Sequence, residues 1–214
     1  MEKFFKPLAL AMTLLLAFTI TSCSVGDDDD DSSTNSLSKM QRSEQVANMA
    51  GTYSGRIYFS NDTTLSKDSI PCNWELTAAD STLKITNFPV SVFAMGITNA
   101  NARKILLNGG VKELTGTILP YFNDYIQQGY YTFWFEPKDY QLSFNVDYEG
   151  ASHAVKVDFT SQMYAYTNNG GPALFYCVGE YYNREIMAYI LVKDVVVDGM
   201  TLTTGWSSYI YGKK

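Results

Sequence analysis

The stretch Gly51-Thr52-Tyr53-Ser54-Gly55-Arg56-Ile57-Tyr58-Phe59-Ser60 decides how the chain is read. Tyr53, Gly55, Ile57 and Phe59 fall on one face of an extended segment, and Ser54, Arg56, Tyr58 and Ser60 on the other. A period of two with one apolar face marks a half-buried β-strand. Ile70, Cys72, Trp74 and Leu76 repeat the pattern in a second strand, where Pro71 predicts an edge position because proline cannot donate to a ladder. Ala79-Asp80-Ser81 turns into a third strand, Leu83-Lys84-Ile85-Thr86. Residues 51–86 therefore read as an antiparallel meander.

Upstream, Ser38 to Met49 reads as a short helix with Ser38 as N-cap and Met40, Val46 and Met49 as its apolar side. Downstream, residues 89–108 lose the alternation. Asn101 to Leu107 reads as helical, and Asn108-Gly109-Gly110 supplies the stop. Leu114 to Tyr125 fits either strand or helix. Alternation returns with Tyr131, Phe133 and Phe135, and again with Leu142, Phe144 and Val146 after the turn Pro137-Lys138-Asp139. Val155, Val157 and Phe159 begin a long strand expected to run to about Tyr166. Asn168-Asn169-Gly170-Gly171-Pro172 is a turn. Leu174 to Val178, Ile186 to Val197 and Met200 to Tyr211 follow, with Asp198-Gly199 as a two-residue hairpin signal. The expected fold is mainly β, with about nine neighbour-connected strands in an antiparallel barrel or two-sheet sandwich. A short N-terminal helix and a helical insertion near 90–110 complete it.

The N-terminus carries a different message. Lys3 and Lys6 precede an uncharged, mostly apolar run from Leu8 to Ile20. That run is shorter than the roughly 18 residues a membrane-spanning helix needs, and it fits the apolar region of a removable signal. Ile20-Thr21-Ser22-Cys23 then resembles the lipobox of bacterial lipoproteins, which implies that residues 1–22 are removed and Cys23 is lipidated. Ser24-Val25-Gly26 and the run Asp27, Asp28, Asp29, Asp30 and Asp31 resemble the acidic export signal that sends Bacteroidetes lipoproteins to the outer face of the outer membrane. Adjacent like charges favour an extended, solvated chain, so residues 23–37 read as a tether, with one β-rich domain over 38–214. A tether of about 15 residues reaches roughly 20 Å as a coil.

The whole-chain charge is −6. Residues 1–22 hold Lys3, Lys6 and Glu2, so the remainder stands at −7, and the aspartate run accounts for five of those charges. The folded part is close to neutral and has no basic stripe, which argues against a nucleic-acid partner.

Motifs for catalysis are sparse. The single histidine, His153, follows Glu149-Gly150 at a strand start and reads as an ordinary surface residue. One histidine without a cysteine or carboxylate cluster at ligand spacing gives no metal site. Asp139/Asp147 and Glu180/Glu185 are carboxylate pairs of the kind glycoside hydrolysis uses, although solvated strand faces explain them equally well. Neither a catalytic residue nor a cofactor is assigned. Cys72 and Cys177 remain once Cys23 is lipidated, as a candidate disulfide or as two buried thiols.

Aromatic residues are the most informative feature, with 16 tyrosines in the chain. Tyr130-Tyr131-Thr132-Phe133-Trp134-Phe135 presents rings on both faces of one strand. One face must be core, and the outward pair Tyr130 and Trp134 are candidates for stacking on sugar rings. Asp62-Thr63-Thr64, Asp68-Ser69-Ile70 and Asp80-Ser81-Thr82 match the Asp-Ser/Thr pattern of Bacteroidetes O-glycosylation, making Thr63, Ser69 and Ser81 candidate modified sites.

The helix followed by Met49-Ala50-Gly51-Thr52-Tyr53-Ser54-Gly55 resembles the entrance of lipocalin-type barrels, with Tyr53 in place of the usual Trp. The full layout of lipobox, acidic run, short helix and Tyr-rich β-domain is similar to uncharacterised lipoprotein families of gut Bacteroides. The expected function is an outer-membrane-anchored, surface-exposed, non-catalytic module that binds a small ligand, a glycan or a partner protein. A carboxylate-dependent hydrolase and a structural or assembly subunit are the alternatives.

Overall fold

The structure, a computed structural model, describes residues 36–60, 67–166 and 172–214. Cys23, the aspartates 27–31, Thr63 and most of the turn at 168–172 lie outside the described residues. Ser38 caps helix α1 (Lys39–Met49) through a capping box: its hydroxyl accepts from the Gln41 N–H, and the Gln41 side chain accepts from the Ser38 N–H. Val46 and Met49 face the core as expected. Met40 does not, being 79% exposed, and Gln45 takes the inward position instead. Inward positions are fixed by 3.6-residue spacing from Val46 and Met49, which brings Gln45 round and leaves Met40 outside.

The described strands are β1 (Gly51–Ser60), β2 (Lys67–Thr77), β3 (Thr82–Pro89), β4 (Val111–Tyr121), β5 (Tyr131–Pro137), β6 (Gln141–Tyr148), β7 (Ala151–Phe159), β8 (Gln162–Tyr166), β9 (Pro172–Tyr176), β10 (Val178–Tyr182), β11 (Glu185–Val197) and β12 (Met200–Lys213). Strands β1-β2-β3-β4-β5-β10-β11-β12 pair in that order, all antiparallel, and β12 pairs back to β1. They form a closed 8-strand barrel. Each barrel strand neighbours the next in sequence, except that β6 to β9 are inserted between β5 and β10.

Alternation puts Tyr53, Ile57, Trp74, Leu76, Leu83, Ile85, Phe133, Phe135, Ile186 and Ile210 inside, all at 1% exposure or less. Eight strands leave an interior just wide enough for side chains to fill. Two glycines make room for the largest of these side chains. Gly55 and Gly212 are direct cross-strand partners, and a β-carbon on either would sit 2.6 or 2.5 Å from the Trp74 indole. Tyr53 stacks on Trp74 at 5.9 Å and 7°, and its hydroxyl donates to the Met49 carbonyl, fastening α1 over that end of the barrel. At the other end a 3₁₀ turn (Val90–Ala94) and helix α2 (Ala100–Leu107) bury Val92, Phe93, Ile105 and Leu106. Asn99 caps α2, and Gly110 at φ +67 follows its end. The expected helical insertion is therefore the second plug, and the segment from Leu114 that fitted either strand or helix is β4.

Strand β11 serves two sheets. Its first residues, Glu185 to Ala188, pair with β10 and close the barrel, whereas Val192 to Val197 pair with β7. The change of partner falls between Ala188 and Val192, and a register shift follows between Val192 and Asp194 within the β7 pairing. β6 and β7 thereby extend the sheet beyond the barrel. At the tip of this extension Asp198, at φ +50 in the β11–β12 hairpin, accepts from the Ala154 N–H and pairs with His153 Nδ1 at 2.7 Å. Hydrogen bonding to Asp198 raises the His153 pKa and lowers that of the aspartate. The histidine thus fastens one hairpin to another.

Two further expectations need correction. The long strand beginning at Val155 breaks at Thr160–Ser161, because the Thr160 N–H bonds to Leu191 and the chain turns away into the β8–β9 ribbon. Together with the break at Cys177 and the assignment of β4 as a strand, this turns the expected count of about nine strands into twelve among the described residues. Pro71 does not mark an edge strand, since β2 lies between β1 and β3. Its missing N–H is harmless because β3 pairs only with Trp74 to Thr77, leaving that side of Pro71 without a ladder.

The Gly212 pair gives a direct test of the packing. Gly212→Ala would put a methyl 2.5 Å from the Ser54 carbonyl oxygen and the Trp74 ring, contacts that backbone cannot easily relieve. It is expected to lower stability by about 1–3 kcal/mol in a denaturant titration.

Candidate functional site

With the interior filled, chemistry has to come from the outer wall. Outward positions of a barrel alternate with inward ones, so β4 presents Thr117, Leu119 and Tyr121, and β5 presents Thr132, Trp134 and Glu136. The register sets Leu119 beside Trp134 and Thr117 beside Glu136. Against this wall stands the base of the β8–β9 ribbon. It is anchored where the Cys177 N–H bonds to Ser161 and the Phe135 N–H bonds to Cys177.

Wall and ribbon enclose a groove of about 290 Å³. Thr117, Leu119, Trp134 and Glu136 form one side, with Ser161, Gln162 and Tyr176 on the other. Leu119 is 54% exposed and Glu136 is also exposed, so solvent reaches it. Trp134 is the centre of an aromatic cluster. Tyr121 lies 5.2 Å away at 35°, and Tyr176 lies 5.2 Å away nearly edge-on at 75°. The Tyr140 hydroxyl donates to Glu136 and fixes that carboxylate at the rim.

Trp134 is thus outward and in the groove, as the alternation predicts. Tyr130 is not beside it. It lies at the start of β5 near Tyr125 and Tyr182, with ring centroids 6.2 and 6.1 Å away, and bonds to the Glu180 carboxylate. The two candidate stacking residues therefore occupy separate parts of one outer face. The partners sequence reading missed are Glu136 and Gln162, and it named Tyr176 only as one of several further aromatic residues without placing it beside Trp134. Only the register of β4 on β5 and the fold-back of β8–β9 bring them to Trp134, and neither leaves a local trace.

Glu180 occupies the middle of the outer face of β10, opposite Thr132 on β5 and Met187 on β11. Burial raises its pKa, only partly offset by the Tyr130 hydroxyl bond. Glu185 projects near it but is held by the Tyr211 hydroxyl at 2.7 Å and by Lys213. Neither carboxylate lines the groove. Asp139 lies in the turn before β6 and Asp147 near the far end of that strand, and the rise from Gln141 to Asp147 alone spans roughly 20 Å. Among the described residues no set of three or more His, Cys, Asp or Glu side chains is placed to hold a metal ion.

The cysteines are two free, buried thiols and not a disulfide. Cys72 is on β2 and Cys177 precedes β10. In the closed barrel β3, β4 and β5 separate those strands one way round, and β1, β12 and β11 the other. A bridge needs Cα atoms within about 7 Å. Burial pushes both thiols up to about 12, so neither is reactive at neutral pH. Of the candidate glycosylation sites, Ser69 is on β2 with its hydroxyl bonded to Arg56 at 2.7 Å. Ser81 forms the β2–β3 turn at φ +53.

The raised Glu180 pKa has a defined consequence. A carboxyl group whose pKa is higher folded than unfolded adds stability below its unfolded value of about 4.3, and that contribution is lost as pH rises through the folded value. Glu180→Gln removes the cost of a buried charge, so its melting temperature should exceed the wild type's at pH 7 and the difference should close by pH 4. A constant difference across that range would contradict the assignment.

A family model described as a domain of unknown function (DUF4840) matches residues 48–197. No curated protein matches the chain. The matched span runs from the end of α1 through β11 and contains every groove residue. The chain belongs to the DUF4840 family.

Proposed function

We propose that this protein is a lipid-anchored, non-catalytic binding module of the outer membrane, displayed at the cell surface, whose ligand sits in the groove between β4–β5 and the β8–β9 ribbon. One observation carries the reading: aromatic side chains fill the barrel interior, while Trp134, Tyr176 and a few polar groups converge in a solvent-reached groove outside it. Concave sites with aromatic walls and few polar groups are typical of small-ligand binding. A glycan or another small polar ligand fits such a lining better than a flat protein partner does. The hydrolase alternative is less well supported, because Glu180 and Glu185 each serve a tyrosine hydroxyl away from the groove.

Anchoring rests on Lys3, Lys6, the apolar run and Ile20-Thr21-Ser22-Cys23. Fatty-acid labelling of cells expressing the full chain should mark the wild type and not Cys23→Ala. Equal labelling would overturn the anchor. Ligand binding is tested by probing a glycan and metabolite array with the detergent-solubilised full chain and with Trp134→Ala. At least one ligand should bind the wild type and be lost from the variant. If Trp134→Ala keeps every ligand of the wild type, or the wild type keeps none, the groove is not the binding site.

A further inference from the structure

Proposing a binding groove leaves open the charge of what it holds, and the lining answers that. Glu136 is the ionisable carboxylate among the groove residues, and no Lys, Arg or His lines it among the described residues. Trp134 and Tyr176 add the negative faces of two aromatic rings set at 75° to one another, with Tyr121 beyond them at 35° to Trp134. Ser161, Gln162 and Thr117 supply neutral polar groups. Two π-systems at a steep angle beside one carboxylate form a corner with a negative potential. The group such a corner favours is a small organic cation, held by cation–π attraction and by the carboxylate together.

We propose that the groove recognises the ammonium group of a small organic cation, either a primary amine on a sugar ring or a quaternary amine of the choline type. This rests on the groove being the binding site and adds the charge of the ligand. Glu136 is suited to the task. It is exposed at the rim, and the Tyr140 hydroxyl donates to it and holds it in place. An anion would face Glu136 and two ring faces with no compensating base. A neutral sugar could use the rings and amides but would gain nothing from the carboxylate's charge. A groove of about 290 Å³ accommodates a hexosamine or a choline.

Calorimetric titration of the full chain in detergent with choline, D-glucosamine, N-acetyl-D-glucosamine and D-glucose separates the cases. Choline or glucosamine should bind saturably, and Glu136→Gln should weaken that binding by about tenfold or more. Glu113→Gln, a change on β4 outside the groove at a carboxylate held by Lys84 at 2.8 Å and by the Thr115 hydroxyl at 3.5 Å, should leave it unaltered and so control for general charge effects. Binding of choline alone identifies a quaternary amine, and binding of glucosamine alone identifies an amino sugar. Glucose or N-acetylglucosamine binding as tightly as glucosamine would overturn the inference while leaving the groove as a neutral-glycan site. Failure of both cations to bind would overturn it too. Array ligands lost from Trp134→Ala would then show whether the groove itself still stands.

Discussion

The molecule depends on one strand satisfying two partners on the same edge. β11 keeps β12 along its whole length on one side. On the other it gives its first residues to β10 and its last to β7, with the register shift at Val192/Asp194 just after β7 takes over. Had it paired with β10 throughout, the barrel would close without room for an insertion. Had it paired with β7 throughout, the barrel would stay open between β10 and β11, exposing unpaired strand edges. The split does both jobs. It closes the barrel, and it leaves a fork from which β8 and β9 emerge beside the outer wall of β4–β5. The groove is a by-product of that fork.

The interior of the closed barrel is filled by its own side chains. Eight strands enclose little space, and Trp74, Tyr53, Phe133 and Phe135 occupy it, with glycines at 55 and 212 where the indole approaches the wall. Lids at both ends, α1 and the 90–107 insertion, bury further rings. This is a stabilising core, not a vessel. The proposed recognition lies outside, where a solvated barrel face ordinarily carries polar residues and this one carries Tyr121, Trp134 and Tyr189, with Tyr176 facing it from the β8–β9 ribbon.

Much of the barrel was legible in the sequence. The two-residue period over Tyr53 to Phe59 and over Tyr131 to Phe135 named the inward residues, the Ser38 cap placed the helix, and Asp198-Gly199 placed the last hairpin. These signals are local, arising from side-chain direction and turn geometry. What was not legible is non-local. Nothing around Thr160 announces that Leu191 will take its N–H and end the strand there. Pro71 announced an edge correctly at its own position but not for its strand, because the pairing of β3 stops short of it. The groove was half visible. Trp134 declared itself as an outward ring, but Glu136 and Gln162 look like ordinary surface residues until register and the ribbon set them around it. Tyr130 shared the same pattern and went elsewhere, since its nearest carboxylate, Glu180, is on β10.

The central claim is that the filled interior excludes ligand and the outer groove admits it. The indole N–H signals report on both places at once in an ¹⁵N-labelled sample, because Trp74 lies inside the barrel and Trp134 lines the groove. Assigned through Trp134→Phe and Trp206→Phe, which together single out Trp74, they should be followed while choline or glucosamine is added. The account predicts that the Trp134 signal moves and saturates while the Trp74 signal stays fixed. A shift of Trp74 with Trp134 unmoved would place the ligand inside the barrel and contradict it.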